Sequence, residues 1–364
     1  MPTLTFPDAD VFRAGGGEPA LRWGLVSPGW IAGEFVRNVH AHTFQRFTAV
    51  ASRSQDRAEA FAREHSLAAA YASVEELAAD RAVDVVYIAS PPSEHLPQAL
   101  VAIAAGKHVM IEKPLTSTAA EAQTLADAAR AAGVLLMEAM WSRYLPQASV
   151  TRALLADGAL GDVHAVMADH GQAISPAPAH RLSQPALGGG ALLDLAIYPV
   201  QFASMVLGTP TSVTAVGALA ASGVDESAAL VLRYGGADAA GESGAWSTLN
   251  TSMTTRLPNR AVIAGADAHL EFAPYFYNPT TLTLGSNDHG AETATWVDAE
   301  GLVGFEALSY EATALARYVG EGRGESPLHT LDETVAILAT IDAARQQLEA
   351  AAGVAPWSSV GQAR

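Results

Sequence analysis

Between residues 21 and 138 the chain keeps to one alternation of short apolar runs and helical stretches, each exchange marked by Gly, Ser or Pro. The apolar runs are residues 21–26, 47–51, 83–89, 109–111 and 134–138. A helix opens out of the turn at 27–35, helical sequence covers 57–65, and another helix begins at 73–77. A further one runs from 95 to 105 with Gly106 as its stop, and a capping box, Thr118 to Glu121, starts the last, which ends at Gly133. Strands and helices in strict alternation make a parallel, doubly wound α/β sheet. Such sheets bind ligands at the carboxyl ends of their strands.

At 364 residues the chain has room for two cores. The rhythm changes near residue 141. A helix is expected around 150–157 and a strand at 163–168. From 212 to about 297, β-type runs with Gly or Asp turns recur, at 212–217, 228–234, 245–253, 260–265, 269–271 and 280–284. Helices follow at 310–321 and 331–351. The expected division is a flexible, Gly-rich leader over 1–20, an α/β domain over 21–141 and an α+β domain with a mostly antiparallel sheet over 142–364.

A net charge of −17 and a pI near 5.0 argue against a nucleic-acid partner, which needs a basic face. The absence of cysteine excludes disulfides, thiolate metal sites and cysteine nucleophiles. Residues 1–20 carry no apolar core of signal-peptide type, and no run is read as approaching the roughly 20 apolar residues of a bilayer span. The expectation is a cytoplasmic protein with no membrane partner.

The chemistry concentrates at strand ends. The run at 109–111 stops at Glu112-Lys113-Pro114, because proline removes a backbone donor and holds the preceding residue extended. Lys113 is thereby presented at the carboxyl edge. Of 21 basic residues only Lys107 and Lys113 are lysines, and an amine can share a proton where a guanidinium stays charged. The alternative is a charge that merely follows a strand. The first strand turns through Ser27-Pro28-Gly29-Trp30-Ile31-Ala32, with Ser27 where a first glycine is usual and Ala32 where the last one is. Ser27, Gly29, Trp30 and Ile31 are the candidates to meet a pyrophosphate with backbone N–H groups, an ordinary strand–helix turn being the alternative. An acid at the end of the second strand would bind the ribose hydroxyl of NAD. The chain has Ser52-Arg53-Ser54 there and Arg57 one turn on, a set suited to a 2′-phosphate, so NADP is expected over NAD. Solvated helix-start charges are the other reading of the two arginines.

In the second domain, Gly188-Gly189-Gly190 precedes a helical stretch in which Asp194 and Tyr198 stand four residues apart, on one face. With Lys113 they make a proton-transfer group, since an ammonium stabilises a phenolate, the phenol itself ordinarily titrating at about pH 10. Asp194 would orient the ring or the lysine, or bind a substrate hydroxyl. A structural Asp–Tyr hydrogen bond is the alternative. No metal is expected: His40 and His42 lack a partner carboxylate at metal spacing. No G-x-S-x-G elbow occurs either.

The ordered set SPGWIA, ASRS, ASPPSEH, GKHVMIEKPLT, LLMEAMWSRYLP and GGGALLDLAIYPVQF, with SPLHTLDETVAIL near the end, resembles the Gfo/Idh/MocA oxidoreductase family over roughly residues 21–350. Within it the chain is most similar to the branch of dimeric dihydrodiol dehydrogenases, NADP-dependent D-xylose dehydrogenases and glucose–fructose oxidoreductase. The resemblance implies a Rossmann domain joined to a substrate-binding domain whose large open sheet supports a homodimer or higher homo-oligomer. It implies Lys113 and Tyr198 as catalytic pair with Asp194 assisting. Many relatives carry His in place of Tyr198, and the Ser27 departure is typical of the same branch. Trp141 matches a motif that lines the substrate site, with Arg143 and Arg181 in similar positions. The nicotinamide is expected over Ser90-Pro91-Pro92 and Glu112-Lys113-Pro114. His95 is counted with the cofactor residues, and packing or capping is its alternative role.

The expected activity is hydride transfer between NADP(H) and a secondary alcohol or carbonyl of a sugar or cyclic vicinal diol. Two alternatives stand beside it: a non-enzymatic, sugar-responsive regulator that binds NADP, and a transhydrogenase that never releases its cofactor.

Overall fold

The computed structural model describes residues 4–235, 244–288, 293–298 and 301–354. The N-terminal alternation yields β1 (Arg22–Val26), α1 (Trp30–His42), β2 (Arg46–Ala51), α2 (Gln55–His65), β3 (Ala69–Tyr71) and α3 (Val74–Ala79). It continues with β4 (Val85–Ile88), α4 (Pro92–Ala104), β5 (His108–Glu112), α5 (Ala119–Ala132) and β6 (Leu136–Ala139). The six strands pair in parallel in the order β3-β2-β1-β4-β5-β6. The order reverses between β1 and β4, which makes the ligand-binding switch point of such sheets. Helices cover both faces, so β4 is apolar throughout and wholly buried. The three-residue β3 has no counterpart in the sequence reading, being too short to show a period.

Helix starts follow the expected chemistry. Ser54, Ser73 and Thr118 each cap a helix by accepting a backbone N–H, from Arg57, Glu76 and Glu121. Glu121 returns the bond one residue early, to the N–H of Ser117. Gly133, at φ 66°, ends α5 in the left-handed conformation.

After a 3₁₀ turn at Trp141–Arg143 come α6 (Pro146–Ala156) and β7 (Val163–Gly171). A π turn at Leu192–Ala196 leads into α7 (Ile197–Leu207). Next are β8 (Ser212–Leu219), β9 (Asp225–Arg233), β10 (Trp246–Ser252), β11 (Ala261–Gly265), β12 (Ala268–Phe272), β13 (Leu282–Ser286) and β14 (Thr293–Trp296). A 3₁₀ turn at Gly304–Ala307, α8 (Leu308–Gly320) and α9 (Leu331–Ala352) close the described chain. The eight strands run in the order β14-β13-β12-β11-β7-β10-β9-β8, antiparallel except for the parallel pair β7 and β10. Val166, Leu230, Leu249 and Ile263 are buried on one face. Met167, Val231, Val216 and Trp246 stay exposed on the other, as expected where an antiparallel sheet is covered on one side only.

The chain forms two units. One comprises Val11–Leu145 with Leu302–Val335; the other comprises Met1–Asp10, Pro146–Gly301 and Ala336–Arg364. The first unit therefore includes a late segment, 302–335, far from it in sequence. Part of the expected leader is anchored there: Phe12 lies edge-on to Tyr144 and Tyr318, under the guanidinium of Arg317. One sequence expectation needs correction. The helical stretch Pro185–Leu207 is 23 residues long and apolar enough by composition to cross a bilayer, yet 78% of its most apolar window is buried inside the protein. Burial of a core helix selects the same residues that lipid would.

Candidate active site

In the first unit the carboxyl ends of β1, β2 and β4 border a cleft of about 460 Å³ lined by Ser27, Ser52, Arg53, Arg57, Ser90 and Pro91, among others. Ser27 sits at φ 72°, a conformation that favours glycine, and its N–H is held by the carbonyl of Ala51 at 3.0 Å. Gly29 caps α1 without any side-chain bond, and the first turn carries no acid. The first intrahelical bond at this end is Gly33 N–H to Gly29 O, which leaves the amides of Trp30, Ile31 and Ala32 to point out of the helix. A side chain at Gly29 would meet nothing within 4 Å. Open space, uncapped amides and a positive helix end fit a dinucleotide pyrophosphate.

The two arginines differ. Arg53 is exposed at the cleft. Arg57 donates to the carbonyl of Pro28 at 2.9 Å and so braces the turn. Ser52 accepts from the N–H of Ser54, and Ser90 donates to Gln98 at 2.7 Å. His95 is fully buried, its Nε2 2.8 Å from Ser90 O and its Nδ1 3.1 and 3.2 Å from Pro114 O and Leu115 O. Burial pushes its pKa down. It ties the β4 loop to the β5 loop, a positioning role with no face left for a ligand. Glu112 accepts from Tyr87 Oη at 2.5 Å and from the N–H of Lys113. Lys113 follows as a half-buried residue at the end of β5.

Behind that loop runs a buried chain of charges. Leu115 N–H donates to Glu138 on β6 at 2.8 Å, and the other oxygen of Glu138 lies 2.7 Å from His329 Nε2. His329 Nδ1 is 3.7 Å from Glu333, whose other oxygen takes Arg143 at 2.6 Å. Burial and Arg143 push the His329 pKa down, but the bonds to Glu138 and Glu333 outweigh them and raise it. Glu333, pushed up by burial, is held at about 2 by His329 and Arg143. Arg143 is thus committed to Glu333 and to the carbonyl of Leu328. Trp141, 5% exposed, stacks on Phe305, which meets the exposed Trp30 edge-on.

In the second unit the π turn and α7 carry Asp194 and Tyr198. Single π turns concentrate at functional sites. Asp194 pairs with Arg181 at 2.8 Å. Tyr198, 8% exposed, packs against Tyr277 and His170, with ring centroids at 4.9 and 5.4 Å. His170 Nδ1 faces Leu195 O and so carries the proton, which leaves Nε2 to accept from the Gln172 amide at 2.9 Å. Burial pushes the Tyr277 phenol up to about 12. His170, Gln172 and Tyr277 escaped the sequence reading. The polar run Asp169-His170-Gly171-Gln172 at the carboxyl end of an apolar strand was the signal for the first two. Among the described residues no group of His, Asp and Glu is arranged to hold a metal ion.

Residues 21–140 match the sequence family described as "Oxidoreductase family, NAD-binding Rossmann fold", and residues 149–271 match the "GFO/IDH/MocA C-terminal domain". The chain belongs to the Gfo/Idh/MocA oxidoreductase family. It is an oxidoreductase with an NAD(P)-binding Rossmann domain. A trans-1,2-dihydrobenzene-1,2-diol dehydrogenase from Xenopus tropicalis is 35% identical over 335 residues, 90% of this chain and 98% of the relative. Among solved structures, a 3-ketoreductase from Actinomadura kijaniata in complex with NADP and TDP-benzene aligns with a TM-score of 0.76 and 26% identity, over 91% of this chain and 98% of the other. An aldose-aldose oxidoreductase from Caulobacter crescentus, complexed with glycerol, shares the fold at a TM-score of 0.79 and 24% identity, over 92% and 98%.

Proposed function

We propose that this Gfo/Idh/MocA member is an NADP(H)-dependent oxidoreductase acting on a secondary alcohol, or the matching carbonyl, of a sugar or cyclic vicinal diol. The observation that carries the cofactor choice is the end of β2. It offers Ser52, Arg53 and Ser54 to the cleft, where an acid would favour the free ribose hydroxyls of NAD. A guanidinium pairs with a 2′-phosphate and stacks on adenine. The substrate reading rests on the surroundings of Tyr198. Tyr277, His170 and Gln172 are neutral donors and acceptors on aromatic faces, and the charge of Arg181 is met by Asp194. Such a lining suits an uncharged polyol.

In this reading Tyr198 takes the hydroxyl proton during oxidation and returns it to the carbonyl oxygen during reduction. Lys113 supplies the ammonium that draws the phenol toward useful acid–base range. Asp194 fixes Arg181 and a substrate hydroxyl. The nicotinamide, when bound, accepts or gives the hydride. The exposed row of Met167, Val231, Val216 and Trp246 is the face proposed for association with a second copy of the chain.

The test is absorbance of the reduced cofactor with NADP⁺ or NAD⁺ and a panel of D-xylose, D-glucose and trans-1,2-dihydrobenzene-1,2-diol. Turnover with NADP⁺ well above NAD⁺ is expected, and Arg53→Asp should raise the KM for NADP⁺ far more than that for NAD⁺. Equal effects on both would sink the cofactor choice. Tyr198→Phe and Lys113→Met should each lower kcat by about 10²-fold or more with cofactor affinity nearly intact. No turnover, together with an NADPH-dependent rise in Tm, would favour a regulator.

A further inference from the structure

Asp225 opens β9 and is only 4% exposed. Its carboxylate lies 33 residues in sequence from Leu192 and accepts that residue's backbone N–H at 2.5 Å, with the Ala191 amide also bonded to it. These are N–H groups at the start of the π turn that carries Asp194 and leads into Tyr198. The residue before this turn, Ala191, makes no side-chain cap. Asp225 therefore does from a neighbouring strand what an N-cap side chain ordinarily does from within the helix.

The glycine at position 190 is explained by the same contact, and its neighbour Gly189 by a second one. Gly190 sits at φ 119°, and a Cβ there would lie 2.4 Å from Asp225 Oδ1. A Cβ at Gly189 would lie 2.6 and 2.7 Å from the carbonyls of Leu182 and Arg181. The two glycines thus let one backbone approach both the buried carboxylate and the segment that delivers Arg181.

We propose that Asp225 is a positioning residue for the reaction, a buried carboxylate whose hold on the amides of Ala191 and Leu192 sets the placement of Asp194 and Tyr198. This rests on the assignment of Tyr198 above. Burial pushes the Asp225 pKa up to about 6, against the pull of Arg345 on α9 and of the amides of Leu192, of Asp225 itself and of Ala191. Arg345 is the charged side chain that acts on it. A fold that needed only a polar plug would be served as well by Asn, which carries no charge to desolvate. Asn offers one acceptor oxygen where the carboxylate offers two, and its NH₂ opposes an amide N–H.

The experiment compares wild type, Asp225→Asn, Arg345→Gln and Tyr198→Phe as full chains, with trans-1,2-dihydrobenzene-1,2-diol and NADP⁺ as probe pair. Amide hydrogen exchange over residues 190–200 is followed in parallel. The wild type should lose kcat as pH falls through about 6, the value to which Asp225 is raised. Asp225→Asn should flatten that limb, lower kcat at neutral pH about tenfold or more with the KM for NADP⁺ unchanged, and speed exchange over 190–200 more than over the rest of the chain. Arg345→Gln should move the limb to higher pH. If Asp225→Asn fails to fold, the limb in wild type and its displacement in Arg345→Gln still decide. Wild-type kcat, pH profile and exchange in Asp225→Asn would overturn the proposal, as would a limb unmoved in Arg345→Gln. Full turnover in Tyr198→Phe would instead defeat the assignment on which it rests. If the diol does not turn over, unchanged exchange in Asp225→Asn alone overturns it.

Discussion

The two sheets of this protein deliver chemistry in opposite ways. The parallel sheet of the first unit presents Ser27, Arg53, Ser90 and Lys113 at consecutive strand ends, each set by its own turn sequence. The antiparallel sheet of the second unit supports one helix start instead. β9 holds it through Asp225, and β7 lays His170 against Tyr198. The first arrangement is built from local chain geometry and the second from long-range contact. Their buried charges differ in the same sense. In the first unit Glu138, His329, Glu333 and Arg143 neutralise one another in series, whereas Asp225 is met by the guanidinium of Arg345 and by backbone amides.

That contrast predicts a large effect from breaking the series. Glu138→Ala strips His329 of its closest acid and Leu115 of its acceptor. It should cost about 3–5 kcal/mol, because one partner of a buried pair is left without its counter-charge. Denaturant unfolding would show it. A loss below about 1 kcal/mol would mean that the series is not what holds the β5 loop.

A smaller effect of defined sign comes from Glu333. Its pKa lies at about 2 against the ordinary 4.5, so the folded state favours the ionised form. The stability it contributes is complete above about pH 4.5 and is lost as pH falls toward 2, on the order of 3 kcal/mol. Glu333→Gln should flatten the acid arm of the stability profile between those limits. An unchanged arm would assign acid unfolding to other carboxyls.

The first unit also contains an exception to its own rule. Glu311 on α8 is fully buried, and neither carboxyl oxygen has a hydrogen-bond partner among the described residues. Burial raises its pKa well above the usual range, with Glu112 and Glu138 adding to the shift, so it is held neutral. An apolar replacement removes a group that is desolvated without a compensating bond. Glu311→Met should therefore raise stability by about 1–3 kcal/mol, read as a higher Tm. A fall in Tm would show that the carboxyl makes a contact worth more than its burial costs.

How much was legible follows the same division. The strand-to-helix turn at Ser27–Ala32 and the Glu112-Lys113-Pro114 stop were readable because the residues that make each feature are adjacent in the chain. The family resemblance put Arg143 near the substrate, while its bonds to Leu328 and Glu333, 185 and 190 residues on, show in no motif. His95 was counted with the cofactor residues, with packing or capping as its alternative, because the loop carbonyls that face its two nitrogens are invisible to a motif. Asp225 drew no attention at all: an acid at the start of a β-run looks like turn punctuation until its contact with Leu192 is seen. Helical spacing did place Asp194 and Tyr198 on one element. It did not foresee the π turn, whose first amide bonds Asp225 on β9.

The smallest effect belongs to the turn between β1 and α1. Ser27 holds a positive φ without the freedom of glycine, at a cost of about 1–2 kcal/mol for an L side chain. Its amide bond to Ala51 fixes the backbone there whatever the side chain. Ser27→Gly should recover most of that strain, offset by the larger chain entropy of glycine, for a net gain of about 0.5–1 kcal/mol. A loss of stability, measured by thermal unfolding, would mean that the hydroxyl makes a bond worth more than the strain. In that case Ser27→Ala should lose more than Ser27→Gly, since alanine keeps the strain and lacks the hydroxyl.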